Sequence, residues 1–181
     1  MRPRTYFSEG IVLARRNYSE ADRILVIYTK KYGKLSLIAK GVRKLKSRKR
    51  GSLQVFSHIK FSAARGKNLD IVTEAELIDS FPQIRKNIKK VSVAYFFVET
   101  VGRLTKDEQK NIELFNFLLI YLKQLTITSK FKSLRNKFTN DILVLLGFWP
   151  RNKKLINPDA KLEEIVERKM NSVRVGKKIN L

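Results

Sequence analysis

The sequence predicts an α+β protein in which a small five-stranded β-barrel is followed by an all-α helical domain. Three observations carry that prediction. Five short apolar runs, each bounded by turn residues, fill the first 80 residues. After Pro82 the apolar period lengthens to that of a helix. At 181 residues and 43% apolar composition, the chain is large and apolar enough for a core in each part.

The β-runs are GIVLA (10–14), ILVIY (24–28), LSLIA (35–39), VFSHIKF (55–61) and LDIVTEAEL (69–77). In the fourth, Val55, Ser57, Ile59 and Phe61 alternate with Phe56, His58 and Lys60, the period of a strand. TKKYG (29–33) joins the second and third runs, with Gly33 able to supply the positive φ of a tight hairpin. ARGKN (64–68) makes a similar turn between the fourth and fifth. Five antiparallel strands in so short a span suggest a closed barrel, because closure removes exposed edges. The boundary at Pro82 divides the chain into residues 1–80 and 81–181. Three helices are expected beyond it, at 84–104, 111–125 and 131–148, the last stopped by Gly147 and Pro150. Residues 151–158 read as a loop, and Pro158 with Asp159 opens a final helix near 159–170.

Charge is the outstanding bulk property. The chain carries 39 basic and 16 acidic residues, net +23, and both parts are basic. A balance this far from neutral speaks of partners, and nucleic acid is the commonest polyanion. No apolar run approaches the length of a membrane span, no basic amphipathic helix marks a terminus, and no secretory signal pattern opens the chain. With no Cys as well, a cytoplasmic, nucleoid-associated protein of a reducing interior is expected.

Little in the sequence supports an enzyme. His58 is the only histidine, no His or Cys pair offers metal ligands, and no Gly-rich phosphate cradle occurs. Glu74 and Glu76 alternate along a strand as a solvated face would, and Glu20 with Asp22 has no supporting pattern. A binding module needing no cofactor fits better. In KGVRKLKSRKR (40–50), seven of eleven residues are basic: Lys40, Arg43, Lys44, Lys46, Arg48, Lys49 and Arg50. This run, between the third and fourth strands, is expected to be a tethered barrel loop, mobile when free because its like charges repel. Arg15, Arg16 and Arg23 flank the first-to-second connection, Lys34 opens the third strand, and Arg65 and Lys67 occupy the last turn. Together they are the candidate DNA contacts, each neutralised phosphate releasing counterions. Tyr18, Tyr28, Tyr32 and Phe56 are candidate stacking platforms, Tyr28 being equally a core residue by its alternation with Ile24 and Val26. Basic residues in the second and third helical runs, Lys123, Arg135 and Lys137, are candidates to rim a pocket for an acidic, apolar-ended tail.

The blocks EADRIL, YGKLS, AKG, GSLQ and LLGFWP occur in an order and spacing that resemble the bacterial RecO family of recombination mediators. The resemblance covers most of residues 5–150. It implies an N-terminal OB-fold, binding to single- and double-stranded DNA, and annealing of complementary strands. It also implies partnership with RecR and with the C-terminal tail of single-strand binding protein, and help in loading RecA. LRNKF (134–138) is similar to the segment where that family meets the tail, which makes Arg135 the candidate partner residue. Many members carry a cysteine-rich zinc insertion after the LGF-P block. Here WPRNKKLINPDAKLEEIVERK follows directly without Cys, so the resemblance is to a short form and no metal is expected. Two rivals fit the same charge: an RNA-binding barrel protein of the translation apparatus, and an adaptor that binds only acidic protein tails.

Overall fold

The structure, a computed structural model, describes residues 3–153, 155–167, 170 and 172. Its first half is a closed barrel of β1 (Thr5–Tyr18), β2 (Asp22–Thr29), β3 (Gly33–Ala39), β4 (His58–Ala64) and β5 (Asp70–Asp79) in the order β1-β2-β3-β5-β4. Four neighbouring pairs are antiparallel, and β3 with β5 is parallel through Leu37↔Asp70 and Ile38↔Ile71. The expected all-antiparallel arrangement is therefore corrected, for a topological reason. Directions cannot alternate all the way around a ring of five, so one pair must run the same way.

β1 is far longer than its apolar run. It pairs with β4 through its first half and with β2 through its second, with a bulge between Val12 and Ala14. Its last five residues are exposed, so periodicity registers only the buried middle. The fourth strand starts at His58, three residues later than alternation implied. Phe56 has φ +55°, and Val55 and Phe56 turn inward, so they are loop residues and not strand residues. At the β2–β3 hairpin Gly33 has φ +72°, and a Cβ there would run into the Gln109 backbone.

The basic segment between β3 and β4 is a compact plug. Consecutive turns are closed by Lys44 N–H to Gly41 (3.1 Å), Ser47 N–H to Lys44 (3.0 Å) and Leu53 N–H to Lys49 (3.2 Å). Val42 and Leu53, both fully buried, join Leu25, Ile27, Leu37 and Phe61 in the barrel core. Apolar anchoring at two points outweighs the mutual repulsion of the cations, which all face outward or lie at the rim.

The second half comprises α1 (Pro82–Arg85), α2 (Ile88–Leu104), α3 (Ile112–Ile127), α4 (Phe131–Leu145) and α5 (Pro158–Val166). Asparagine caps three of them: Asn87, Asn111 and Asn157 accept from the first-turn amides of α2, α3 and α5. The expected 84–104 helix is interrupted at Lys86–Asn87 because Asn87 caps α2. Gly147, φ +78°, follows the end of α4 as anticipated. The last helix ends at Val166, where Glu167 takes φ +55°, short of the expected end near 170. The helices do not form a separate core. Ile11, Leu13, Tyr28 and Phe56 from the barrel's outer wall share one apolar cluster with Phe96, Phe97, Phe115 and Phe138.

Candidate nucleic-acid interface

The long end of β1, the start of β2 and the plug are knitted together by short polar contacts. Gly41 N–H donates to the Asp22 carboxylate (2.7 Å) and Arg43 N–H to the Ala21 carbonyl (2.9 Å). The Arg43 guanidinium donates to the Ser19 carbonyl at 3.2 Å. Gln54 bridges the other side, accepting from Arg15 and donating to the Arg50 carbonyl (2.8 Å). These contacts bring together the segments that carry Arg15, Arg23, Arg43 and Arg50, although they lie up to 35 positions apart.

Arg23 reports the result. Its Nη1 is buried without a hydrogen-bond partner, and burial, then the charges of Arg15, Arg43 and Arg50, lower its pKa from the ordinary guanidinium value. Among the described residues no carboxylate pairs with any of the four. Like charges brought near one another without a carboxylate salt bridge are an electrostatic cost, which a polyanion would relieve.

The other candidates divide. Lys40, Lys44, Lys46 and Arg48 are exposed on the plug, and Arg16 is exposed near the end of β1. Lys49 is half-buried and donates to the Val72 carbonyl of β5 at 3.0 Å. Arg65 and Lys67 are exposed in the β4–β5 turn, where the Arg65 amide bonds to Arg4. Ten residues of β1, about 33 Å along the strand, separate Thr5 beside that turn from Arg15. Lys34 is turned inward: its ammonium donates to the carbonyls of Gly102 (2.8 Å) and Thr105 (2.5 Å) at the end of α2 and pairs with Asp107 (3.3 Å). That is a helix C-cap, so Lys34 is occupied in joining barrel to helix.

Of the aromatic candidates, Tyr18 is 51% exposed, Tyr28 is in the core, and Tyr32 packs edge-on against Tyr6. Phe56 is corrected: it is buried, with the Arg85 guanidinium 4.2 Å from its ring centroid. Arg85 also donates to the Val55 carbonyl (3.0 Å) and the Ser57 hydroxyl (2.9 Å), fastening α1 to the plug. Nothing in the run QIRKN singled it out, since its partners lie 28 and 30 residues away. His58 is buried against Phe115, with Nε2 3.4 Å from the Glu9 carboxylate. Among the described residues no group of three or more His, Asp or Glu is disposed to hold a metal. No described helix is long and apolar enough to cross a membrane.

Arg135 donates to Asp159 at 2.8 Å and stacks over Phe96 at 4.2 Å. It pins α5 to α4. Lys123 is exposed on α3, whereas Lys137 lines a 560 Å³ recess with Arg151 and Lys153. The three tail candidates are thus not assembled around one pocket.

Residues 1–81 match the family model described as Recombination protein O N terminal, and residues 85–162 match Recombination protein O C terminal. The chain belongs to the RecO family. Curated relatives agree with this assignment. The DNA repair protein RecO of Roseiflexus sp. (strain RS-1) is 33% identical over 93% of this chain and 59% of its own length. That of Pelotomaculum thermopropionicum is 34% identical over 80% and 56%, and that of Heliobacterium modesticaldum 42% over 64% and 42%. The chain spans about three-fifths of the length of the RecO relatives it matches most broadly. The join between the two family models falls at α1, where barrel gives way to helices, and the closed five-stranded barrel is the OB-fold the RecO resemblance implies.

Proposed function

We propose that this RecO-family chain is a DNA-binding recombination mediator of DNA repair that brings complementary single strands together without bond chemistry. The observation that carries the reading is the guanidinium cluster of Arg15, Arg23, Arg43 and Arg50, which lacks a carboxylate partner among the described residues. One phosphate backbone laid across it, and a second drawn by the surrounding Lys40, Lys44, Lys46 and Arg48, would have their mutual repulsion screened. Net charge of +23 supplies the long-range steering.

Family membership supports partnership with RecR and with the tail of single-strand binding protein, and through them the loading of RecA. Arg135 is already held by Asp159, so an acidic tail meets Lys137, Arg151 and Lys153 at the recess beside α4 first. The test is annealing of complementary oligonucleotides at low salt, with neither nucleotide nor metal. Acceleration by the chain is expected, and Arg15→Gln with Arg43→Gln and Arg50→Gln should abolish most of it. An uncatalysed rate at every protein concentration overturns the mechanism, and a clear preference for structured RNA over single-stranded DNA reassigns the substrate.

A further inference from the structure

A cleft of about 850 Å³ lies between the barrel's outer wall and α2, within the range of roughly 300–1,000 Å³ typical of ligand-binding clefts. Its walls are apolar: Leu13 and Val26 on the barrel side, Val91 and Val98 on the helix. Its charges are unequal in kind. Lys34 and Arg103 are spent on Asp107 and Glu99, at 3.3 and 2.8 Å. Arg15 also lines the cleft, but it hydrogen-bonds a neutral amide and belongs to the guanidinium cluster.

Tyr95 is the aromatic residue of this cleft. It meets Phe56 at right angles, with centroids 5.7 Å apart, and stays 44% exposed. Arg15 and Tyr95 line the same cleft, which brings the tyrosine close to the cluster. Phosphate attraction and an apolar, aromatic-bearing slot thus adjoin one another. That pairing suits a strand whose bases are unpaired and whose backbone is charged. It suits a duplex poorly, because paired bases keep their faces stacked inside the helix.

Resting on the nucleic-acid reading above, we propose that the cleft between barrel and α2 receives unpaired nucleobases of a strand whose phosphates lie on the Arg15 cluster, with Tyr95 as the stacking platform. The path of the nucleic acid then continues from the barrel onto the helical half. Bases are held in the cleft, away from the phosphate-binding surface, until pairing with a second strand withdraws them.

The test uses the full chain and single-stranded oligonucleotides carrying 2-aminopurine, whose fluorescence reports stacking. Tyr95→Ala should weaken single-strand binding roughly five- to a hundredfold and remove the fluorescence change. The dependence on salt should keep its slope, because no charge is lost. Tyr95→Phe should bind like the parent, and duplex binding should be insensitive to both changes. Ile88→Glu, at a cleft residue that is 68% exposed, should weaken single-strand binding while far-UV circular dichroism stays unchanged. Single-strand binding by Tyr95→Ala within twofold of the parent, with the fluorescence change intact, overturns the proposal. So does an equal loss for single strand and duplex. Should the parent bind no oligonucleotide, the nucleic-acid reading itself falls, and this one with it.

Discussion

Two buried cationic centres behave oppositely. Arg23 stays charged in a partly buried site because a guanidinium does not give up its proton near neutrality, so the repulsion of Arg15, Arg43 and Arg50 persists. His58 can escape by losing its proton, and burial pushes its pKa below the ordinary value, opposed by Glu9 and Asp79 and assisted by Lys123. Its effect on stability has a definite sign. The unfolded chain takes up a proton near pH 6.5 and the folded chain does so only at lower pH, so stability falls as pH drops through that window. The slope from this one group is at most about 1.4 kcal/mol per pH unit. Thermal melts of the parent between pH 7.5 and 5 should show the decline, and His58→Gln should flatten it. A parent that grows more stable on acidification would show that the Glu9 contact dominates.

The plug separates two kinds of lysine and arginine that look alike in the run 40–50. Lys44, Lys46 and Arg48 are exposed, while Lys49 is tied to β5 and Val42 and Leu53 hold the barrel closed. Replacing Lys44, Lys46 and Arg48 with Ala should lower the slope of log affinity against log salt by about two to three while leaving the melting temperature in place. Lys34→Met supplies the contrast. It strips the cap from α2 at Gly102 and Thr105, so it should cost about 1–3 kcal/mol of stability in denaturant titration and leave the salt slope alone. If Lys34→Met instead lowers the slope at unchanged stability, Lys34 contacts phosphate.

Across the whole molecule, barrel and helices depend on one another. The inner cluster of the barrel is complete, but its outer wall contributes Ile11, Leu13, Tyr28 and Phe56 to the helical core. Tyr28 shows the degree of enclosure: burial pushes its phenol up to about 12. Arg85 and Lys34 add polar ties at either end of the junction. A fragment ending at residue 80 would uncover a continuous apolar wall, so it should aggregate or bind a hydrophobic dye strongly, whereas the full chain should not. A soluble, monomeric, dye-negative fragment would show the two halves to be independent.

Element identity was open to sequence reasoning because it follows from local pattern: period two before Pro82, helical period after it, and glycine where φ is positive. The RecO blocks were legible for the same reason. Strand ends were less so, since β1 continues into exposed polar residues and Phe56 turns inward to fill space that only the helices create. The functional grouping is furthest from the chain's linear order. That Arg15, Arg23, Arg43 and Arg50 meet, while Lys34 and Arg135 are consumed by a helix end and by Asp159, depends on barrel closure and on the docking of α2 and α5. Composition counts cations; which of them remain without a carboxylate is decided by packing, because an ion pair needs its partner within a few ångströms and the fold alone sets those distances.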